Sequence, residues 1–124
     1  MSEPPVLVSV VDDDESVRES LPYLLKELGF AVKAFSSAEE FLVSEHVELT
    51  QCLILDVSMP GMSGPDLHRE LIRSGRSIPV IFITAHADDA VRPSLLGQGA
   101  VECLFKPFSE TALLDALNAA LGTK

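Results

Sequence analysis

The sequence predicts an α/β fold: a single doubly wound (βα)5 domain built on a five-stranded parallel sheet. Two observations lead to this prediction. Five short apolar segments alternate with segments of helical periodicity along the 124 residues, and strands buried in a parallel sheet are typically uninterrupted apolar runs. This alternation also places helices on both faces of the sheet. The length suits one domain with a sizeable core, so residues 1–124 are expected to form one unit.

The predicted strands are short and rich in β-branched or other apolar side chains. They cover residues 6–11, 31–35, 52–55 and 80–83, and the last is centred on residues 104–105. The predicted helices have an apolar face and typical cap residues. They cover residues 15–28, the segment from Ser36 or Ser37 to residue 43, residues 66–74 and 88–98, and a last helix capped by Ser109.

Two prolines lie inside predicted helices, Pro22 in the first and Pro93 in the fourth. Proline has no N–H to donate to the preceding turn, so each should bend or shorten its helix. A tolerated bend is the simpler interpretation. For Pro93 a second interpretation stays open, in which the fourth helix is short or mobile, as Gly97 and Gly99 nearby suggest.

Composition and charge exclude several classes of function. The formal net charge of −10 argues against direct binding of nucleic acids or anionic membranes by this domain. No apolar stretch has membrane-spanning length, and the start of the sequence has no signal-peptide pattern. Cys52 and Cys103 lie in apolar runs and are expected to be buried free thiols. We therefore expect a cytoplasmic protein that is not associated with membranes.

Reactive polar residues follow four of the predicted strands. They are Asp12 with Asp13, Asp56, Thr84 and Lys106. Because the carboxyl ends of parallel strands meet at one edge of an α/β sheet, these side chains should converge there. The sequence therefore predicts a site that combines three carboxylates, a hydroxyl and an ammonium group.

The three carboxylates predict a magnesium site. Mg²⁺ prefers hard oxygen ligands, which Asp12, Asp13 and Asp56 offer together with a loop carbonyl, expected to be that of Ser58. The sequence has no His or Cys cluster that would favour a softer metal. Helix capping and a solvated first turn remain an alternative for the acidic run 12–14. Asp56 does not fit that alternative, since a charge after a fully apolar strand is costly to bury without a cation.

The same residues suit phosphoryl transfer to Asp56. A carboxylate can attack phosphorus to form an aspartyl phosphate, a reaction that depends mainly on positioning and charge neutralisation. Lys106 could neutralise one phosphoryl oxygen, and the Thr84 hydroxyl could donate a hydrogen bond to another. Taken singly, Lys106 could be a surface lysine and Thr84 a strand-end residue. Their joint occurrence at strand ends favours the site.

Two backbone features are expected near these residues. Pro107 directly follows Lys106, and a cis Lys106-Pro107 bond could form a tight bend there. Gly64 lies where a loop enters a helix, a position that often requires unusual backbone dihedrals.

Four segments of the chain carry a resemblance that covers essentially its whole length. They are the pair Asp12-Asp13, the segment Asp56-Val-Ser-Met-Pro-Gly-Met-Ser-Gly64, Thr84-Ala85, and Lys106-Pro107-Phe108. Each is weak alone, but the set, in this order and spacing, is specific. The chain resembles the receiver domain of two-component response regulators. Within that family it resembles the FixJ-type subgroup most closely, in segments 11–18, 36–42 and 99–108.

The resemblance implies a flavodoxin-like sheet of strand order 2-1-3-4-5 and the function of a phosphoacceptor switch. A sensor histidine kinase would donate the phosphoryl group to Asp56. Mg²⁺ would be held by Asp13, Asp56 and the Ser58 carbonyl, and by Asp12 through water. The domain would catalyse only its own phosphorylation and dephosphorylation.

The resemblance also assigns roles around the phosphoryl group and beyond it. Lys106, Thr84 and the Ala85 amide would bind the group, and Ser58 and His86 occupy positions that modulate dephosphorylation in the family. The face formed by the fourth helix, fifth strand and fifth helix would change on phosphorylation. A phosphorylation-dependent homodimer through that face is a further expectation.

One position departs from the family pattern. Receivers commonly carry an aromatic residue or His three positions before the lysine, where this chain has Cys103. A small side chain cannot signal by moving a large ring, and whether Phe105, on the same face of the strand, substitutes for it is open. FixJ-type regulators continue into a DNA-binding domain, so the chain is expected to be either a single-domain regulator or a separated receiver.

Three other functions are alternatives to the switch. An aspartate-nucleophile phosphohydrolase would usually need a second acid two residues after the nucleophile, where Ser58 stands. A phosphorylation-independent interaction domain is favoured by Cys103 and Pro93, since coupling requires two differently stabilised states. A flavin-binding domain of the same architecture is disfavoured because acids replace a phosphate-cradling loop after the first strand.

Overall fold

The computed structural model describes residues 5–85 and 90–122. In this part of the chain five parallel strands form one sheet in the order β2-β1-β3-β4-β5. The strands are β1 Leu7–Val11, β2 Ala31–Phe35, β3 Cys52–Asp56, β4 Val80–Thr84 and β5 Glu102–Phe105. The helices are α1 Glu15–Glu27, α2 Ala38–Leu42, α3 Gly64–Arg73, α4 Val91–Gly97 and α5 Glu110–Leu121. The predicted fold class and strand order are confirmed.

Both faces of the sheet are buried, which explains the uninterrupted apolar runs of its strands. Successive side chains along a strand point to opposite faces. Val10, Ile54 and Ile81 pack on one face against apolar residues of α1 and α5. Leu55 and Phe82 pack on the other face against α2, α3 and α4. Every residue of β3 and β4 is buried, so these central strands bring their ends to a well-defined edge.

Helix α3 begins two residues earlier than the sequence predicts. Ser63 is its N-cap, and the Ser63 Oγ accepts the Asp66 N–H at 3.2 Å. Pro65 fits in the first turn because backbone N–H groups there have no partner within the helix. The prediction of a start at about residue 66 was wrong since the Gly-Pro pair suggested a loop rather than a capped first turn.

The two prolines behave differently from one another. Helix α1 continues through Pro22 for 13 residues, so this proline does not shorten it. Helix α4 has seven residues, and Pro93 is the third of them. A missing N–H costs little in a first turn, so the placement of Pro93 in a helix interior is corrected. The predicted start at residue 88 lies outside the described residues.

A short 3₁₀ helix, Glu45–Val47, was not predicted. Ser44 caps it by accepting the His46 N–H at 3.2 Å, and Val47 is buried against the sheet. Cys52 and Cys103 are buried and unpaired, as predicted. Among the described residues no helix is both long and apolar enough to cross a membrane.

Candidate functional site

The strand register brings the predicted polar residues to one edge of the sheet. Val11 of β1 pairs with Leu55 of β3, so Asp12 and Asp56, the residues that follow them, are neighbours. Asp56 in turn pairs with Ile83, directly before Thr84. The Thr84 carbonyl accepts the Lys106 N–H at 2.8 Å, which joins the end of β4 to the residue after β5.

Three carboxylates lie together at this edge. One oxygen from each of Asp12, Asp13 and Asp56 lies within 4.8 Å of the others. Asp12 and Asp56 are buried, at 0% and 5% exposed, whereas Asp13 is exposed. The arrangement offers two buried oxygen ligands and one that faces solvent, which suits a hard cation that keeps some of its water.

The three aspartates at residues 12–14 have two different roles. Asp14 is the N-cap of α1, and its Oδ1 accepts the Ser16 N–H at 2.9 Å. Asp12 and Asp13 therefore remain at the strand end beside Asp56. Asp14 is the helix cap, and Asp12 Oδ1 accepts the Asp14 N–H at 2.9 Å while its other oxygen faces Lys106.

The protonation of Asp56 reflects its crowded surroundings. Burial, followed by the negative charge of Asp12, raises the pKa of Asp56 to about 7. Lys106 opposes this shift, and Asp13 adds to it. A bound divalent cation would favour the ionised carboxylate. The site therefore fits Mg²⁺ by its donor atoms and by the repulsion among its acids, which Lys106 offsets only in part.

Lys106 is part of this cluster and not an ordinary surface lysine. Its Nζ lies 2.9 Å from Asp12 Oδ2 and 3.7 Å from Asp56 Oδ1. Burial lowers the pKa of Lys106, but the hydrogen bond to Asp12 and the charge of Asp56 outweigh burial, so the net shift is upward. The ammonium group is therefore charged and faces the carboxylate that would accept a phosphoryl group. The Lys106-Pro107 bond is cis, as expected.

Comparison with known proteins agrees with this geometry. The sequence model of the family described as "Response regulator receiver domain" matches residues 8–118 of this chain. The chain belongs to this family. It is a receiver domain of the kind found in two-component response regulators.

Two relatives illustrate the similarity. Nodulation protein W of Bradyrhizobium diazoefficiens is 47% identical over 114 residues, which are 92% of this chain and 50% of that protein. The transcriptional regulatory protein FixJ of Rhizobium meliloti is 41% identical over 113 residues, 91% of this chain and 55% of that protein. The predicted similarity to FixJ-type regulators is confirmed. The chain spans about half the length of the curated relatives it matches.

Solved structures show the same fold. The structure of the response regulator StyR has 46% identity and a TM-score of 0.87, covering 96% of this chain and 60% of that one. The crystal structure of FixJ-N has 38% identity and a TM-score of 0.85, covering 97% of this chain and 96% of that one.

The other predicted site residues of the receiver domain lie at the same edge. Thr84 is buried, at 1% exposed, and Ala85 follows it on the surface. Ser58 is exposed in the loop after Asp56. Their assignments to phosphoryl and metal binding stay predictions. His86 lies outside the described residues.

Gly64 is required for a reason other than the expected one. Its φ is not positive, so the prediction of unusual dihedrals was wrong. A Cβ at Gly64 would lie 2.1 Å from the Asp56 carbonyl oxygen. The Gly64 N–H also donates to the Val57 carbonyl at 3.1 Å. The first turn of α3 therefore contacts the backbone of the central aspartate, and only glycine leaves the space.

Sequence reasoning missed two polar residues that support the receiver site. Arg18 Nη1 donates to the Asp12 carbonyl at 2.9 Å. Arg18 lies one turn after the α1 cap, and its spacing from Asp14 was a usable signal because helical side chains point back towards the N-terminus. Glu39 Oε2 accepts the Met62 N–H at 3.0 Å across 23 residues. Such a distant pair gives no local signal.

The departure at Cys103 has a structural counterpart. Cys103 is 2% exposed and belongs to the core beneath α4, in the same cluster as Phe82 and Leu95. Burial raises the pKa of its thiol, with Glu102 adding to the shift, which keeps it protonated. A small, protonated side chain therefore occupies the position where the resemblance implied an aromatic residue or His.

Proposed function

We propose that Asp56 is the phosphoacceptor of a two-component signalling switch. The observation that supports this most directly is the placement of one buried carboxylate, Asp56, between two further acids and one ammonium group. Asp12 and Asp13 offer oxygens within 4.8 Å of one of its own, and Lys106 Nζ lies 3.7 Å from its Oδ1.

The chemistry we propose is one phosphoryl transfer. An Asp56 carboxylate oxygen attacks the phosphorus of a phosphohistidine on a sensor histidine kinase, the phosphorus–nitrogen bond breaks, and the imidazole leaves with its electron pair and takes up a proton. When bound by Asp12, Asp13, Asp56 and the Ser58 carbonyl, Mg²⁺ would neutralise phosphoryl charge.

The chain's own residues would complete the charge balance. Lys106 Nζ is near enough to Asp56 to contact a phosphoryl oxygen after a small rotation away from Asp12. The Thr84 hydroxyl and the Ala85 amide would donate hydrogen bonds to the remaining oxygens. Ser58 and His86 would affect how readily water removes the group.

The proposal extends to partners and location. The kinase would be the phosphoryl donor, and phosphorylation would favour a homodimer through the face formed by α4, β5 and α5. The net charge of −10 supports the absence of direct nucleic-acid binding by this domain. Two buried, unpaired cysteines support a cytoplasmic location.

Phosphorylation with a small donor tests the proposal. Acetyl phosphate with Mg²⁺ should give one phosphoryl adduct, detected by intact-protein mass spectrometry and removed by hydroxylamine. Asp56→Asn should give none, whereas Asp115→Asn, an exposed acid on α5, should react like the wild type. An adduct mapped to another residue, with Asp56 unmodified, would contradict the proposal.

A second candidate function is an interaction domain that works without phosphorylation. The small buried Cys103 favours it, because the usual ring movement is not available to couple the site to the α4 face. Partner binding or dimerisation measured with and without beryllofluoride and Mg²⁺ decides between the two. An unchanged association constant in the presence of a bound mimic would favour the second candidate.

A further inference from the structure

We propose that Glu39 of α2 is a positioning residue for the metal site, acting through the loop after β3. This loop comprises residues 57–63 and carries Ser58, whose carbonyl is the proposed backbone ligand of Mg²⁺. The inference rests on the proposed function, because it concerns the same metal site. It assigns a role to a side chain that lies outside the cluster of acids at the strand ends.

Backbone contacts hold the ends of the loop. Gly64, at the start of α3, donates its N–H to the Val57 carbonyl at 3.1 Å. Gly64 also lies against the Asp56 carbonyl, where a Cβ would be 2.1 Å away. Met59 is 9% exposed and anchors the middle of the loop in the core.

Glu39 supplies the contact for the second half of the loop. Its Oε2 accepts the Met62 N–H at 3.0 Å. The same oxygen would lie 2.7 Å from a Cβ at Gly61, whose φ is +76°. The loop therefore turns in a left-handed conformation directly against this carboxylate, and the absence of a side chain at Gly61 is what admits it.

The consequence for metal binding is geometric. Mg²⁺ requires near-ideal octahedral geometry, so a backbone carbonyl serves as a ligand only if its loop is held still. Residues that orient metal ligands through hydrogen bonds typically change metal affinity by about 10- to 100-fold when they are removed. Glu39 is exposed, so we expect the lower end of this range.

Four variants separate geometry from charge. Glu39→Ala removes both the charge and the acceptor. Glu39→Asp keeps the charge but shortens the side chain by one methylene, so its carboxylate no longer reaches Met62. Glu39→Gln removes the charge but keeps an acceptor oxygen at the same distance. Glu40→Ala is the matched control, because Glu40 is the adjacent acid in the first turn of α2 and accepts the Ser36 N–H at 2.7 Å, away from the loop.

Amide NMR on the intact chain gives both readouts. Mg²⁺ titration should show affinity weakened about tenfold in Glu39→Ala and Glu39→Asp. Glu39→Gln and Glu40→Ala should stay within about twofold of the wild type, since neither loses the contact to the loop. In metal-free protein, hydrogen exchange of the Met62 amide should accelerate in Glu39→Ala and Glu39→Asp alone.

The outcomes distinguish this inference from the proposed function. Wild-type affinity in Glu39→Asp, or equal weakening in Glu39→Gln and Glu39→Ala, would overturn the positioning role, the latter in favour of a purely electrostatic effect. A wild-type chain that neither binds Mg²⁺ nor accepts a phosphoryl group would overturn the proposed function and this inference with it.

Discussion

Asp56 combines burial with the repulsion of two neighbouring acids, and this combination controls its protonation. The pKa of Asp56 is raised from 3.8 to about 7, by burial first and then by the charge of Asp12. Lys106 limits the shift by placing its ammonium group between the two carboxylates. The metal-free site is therefore partly protonated near neutral pH, and a cation that binds there must displace this proton.

The first prediction concerns the pH dependence of stability without metal. Because the pKa of Asp56 is higher in the folded state, the folded chain holds a proton between about pH 4 and pH 7 that the unfolded chain has released. The contribution of Asp56 to the free energy of unfolding is present at low pH and is lost as the pH rises to about 7. Asp56→Asn, which cannot ionise, should therefore be more stable than the wild type at pH 8 by about 4 kcal/mol.

Thermal unfolding in EDTA at pH 5 and pH 8 measures this difference. The difference in free energy of unfolding between Asp56→Asn and the wild type should increase from pH 5 to pH 8. An equal gap at both values would show that Asp56 has an ordinary pKa.

The packing of α3 against β3 is the feature of the helices that matters most for the site. Ser63 caps α3, and its first residue, Gly64, contacts the carbonyl of the last residue of β3. The Gly-Pro pair suggested a loop, so the sequence pattern did not reveal this cap. The contact could not be predicted either, since the distance between Gly64 and Asp56 depends on how the loop folds.

The second prediction tests this contact with a pair of glycine variants. Gly64→Ala should destabilise the fold by about 3 kcal/mol, because its Cβ would meet backbone that cannot move without shifting Asp56. Gly97→Ala in α4 is the matched control, since nothing lies within 4 Å of its Cβ position. It should stabilise the fold by about 0.5 kcal/mol.

Denaturant unfolding gives both free energies. A Gly64→Ala variant as stable as the wild type would show that α3 can move away from β3 at little cost. Phosphorylation of the same variant by acetyl phosphate should also be slower, because Asp56 is displaced.

The whole molecule is organised around two cores, one on each face of a sheet whose central strands are entirely buried. This rigid arrangement brings Asp12, Asp56, Thr84 and Lys106 to one edge. Beneath α4, the buried residues Cys103 and Ala100 have small side chains. Phe105, on the same face of β5 as Cys103, is larger and only partly buried.

The third prediction is that Mg²⁺ stabilises the entire fold. An ion that binds only the folded state adds about 2.7 kcal/mol at a hundredfold excess over its Kd. Asp13→Asn removes the exposed carboxylate of the proposed metal site and should abolish most of this gain, while the remote Asp115→Asn should retain it. Differential scanning calorimetry with and without Mg²⁺ measures the shift in Tm. A gain that survives in Asp13→Asn would place the ion elsewhere.

The sequence by itself determined the element types, their order and the identity of the residues at the strand ends. These follow from local patterns: apolar runs, helical periodicity, caps, and polar residues directly after strands. Its errors were also local. The start of α3, the place of Pro93 in α4 and the short helix at residues 45–47 all depend on first-turn geometry that periodicity does not resolve.

Only the tertiary structure decided which residues contact one another around the site. The ion pair of Lys106 with Asp12, the Glu39 contact to Met62 and the approach of Gly64 to Asp56 each join segments that are separated along the chain. Such contacts are set by strand register and loop closure, which bring distant segments of the chain together. A pattern of residue types contains no distances. It therefore predicted which residues form the site but not the contacts that hold those residues in place.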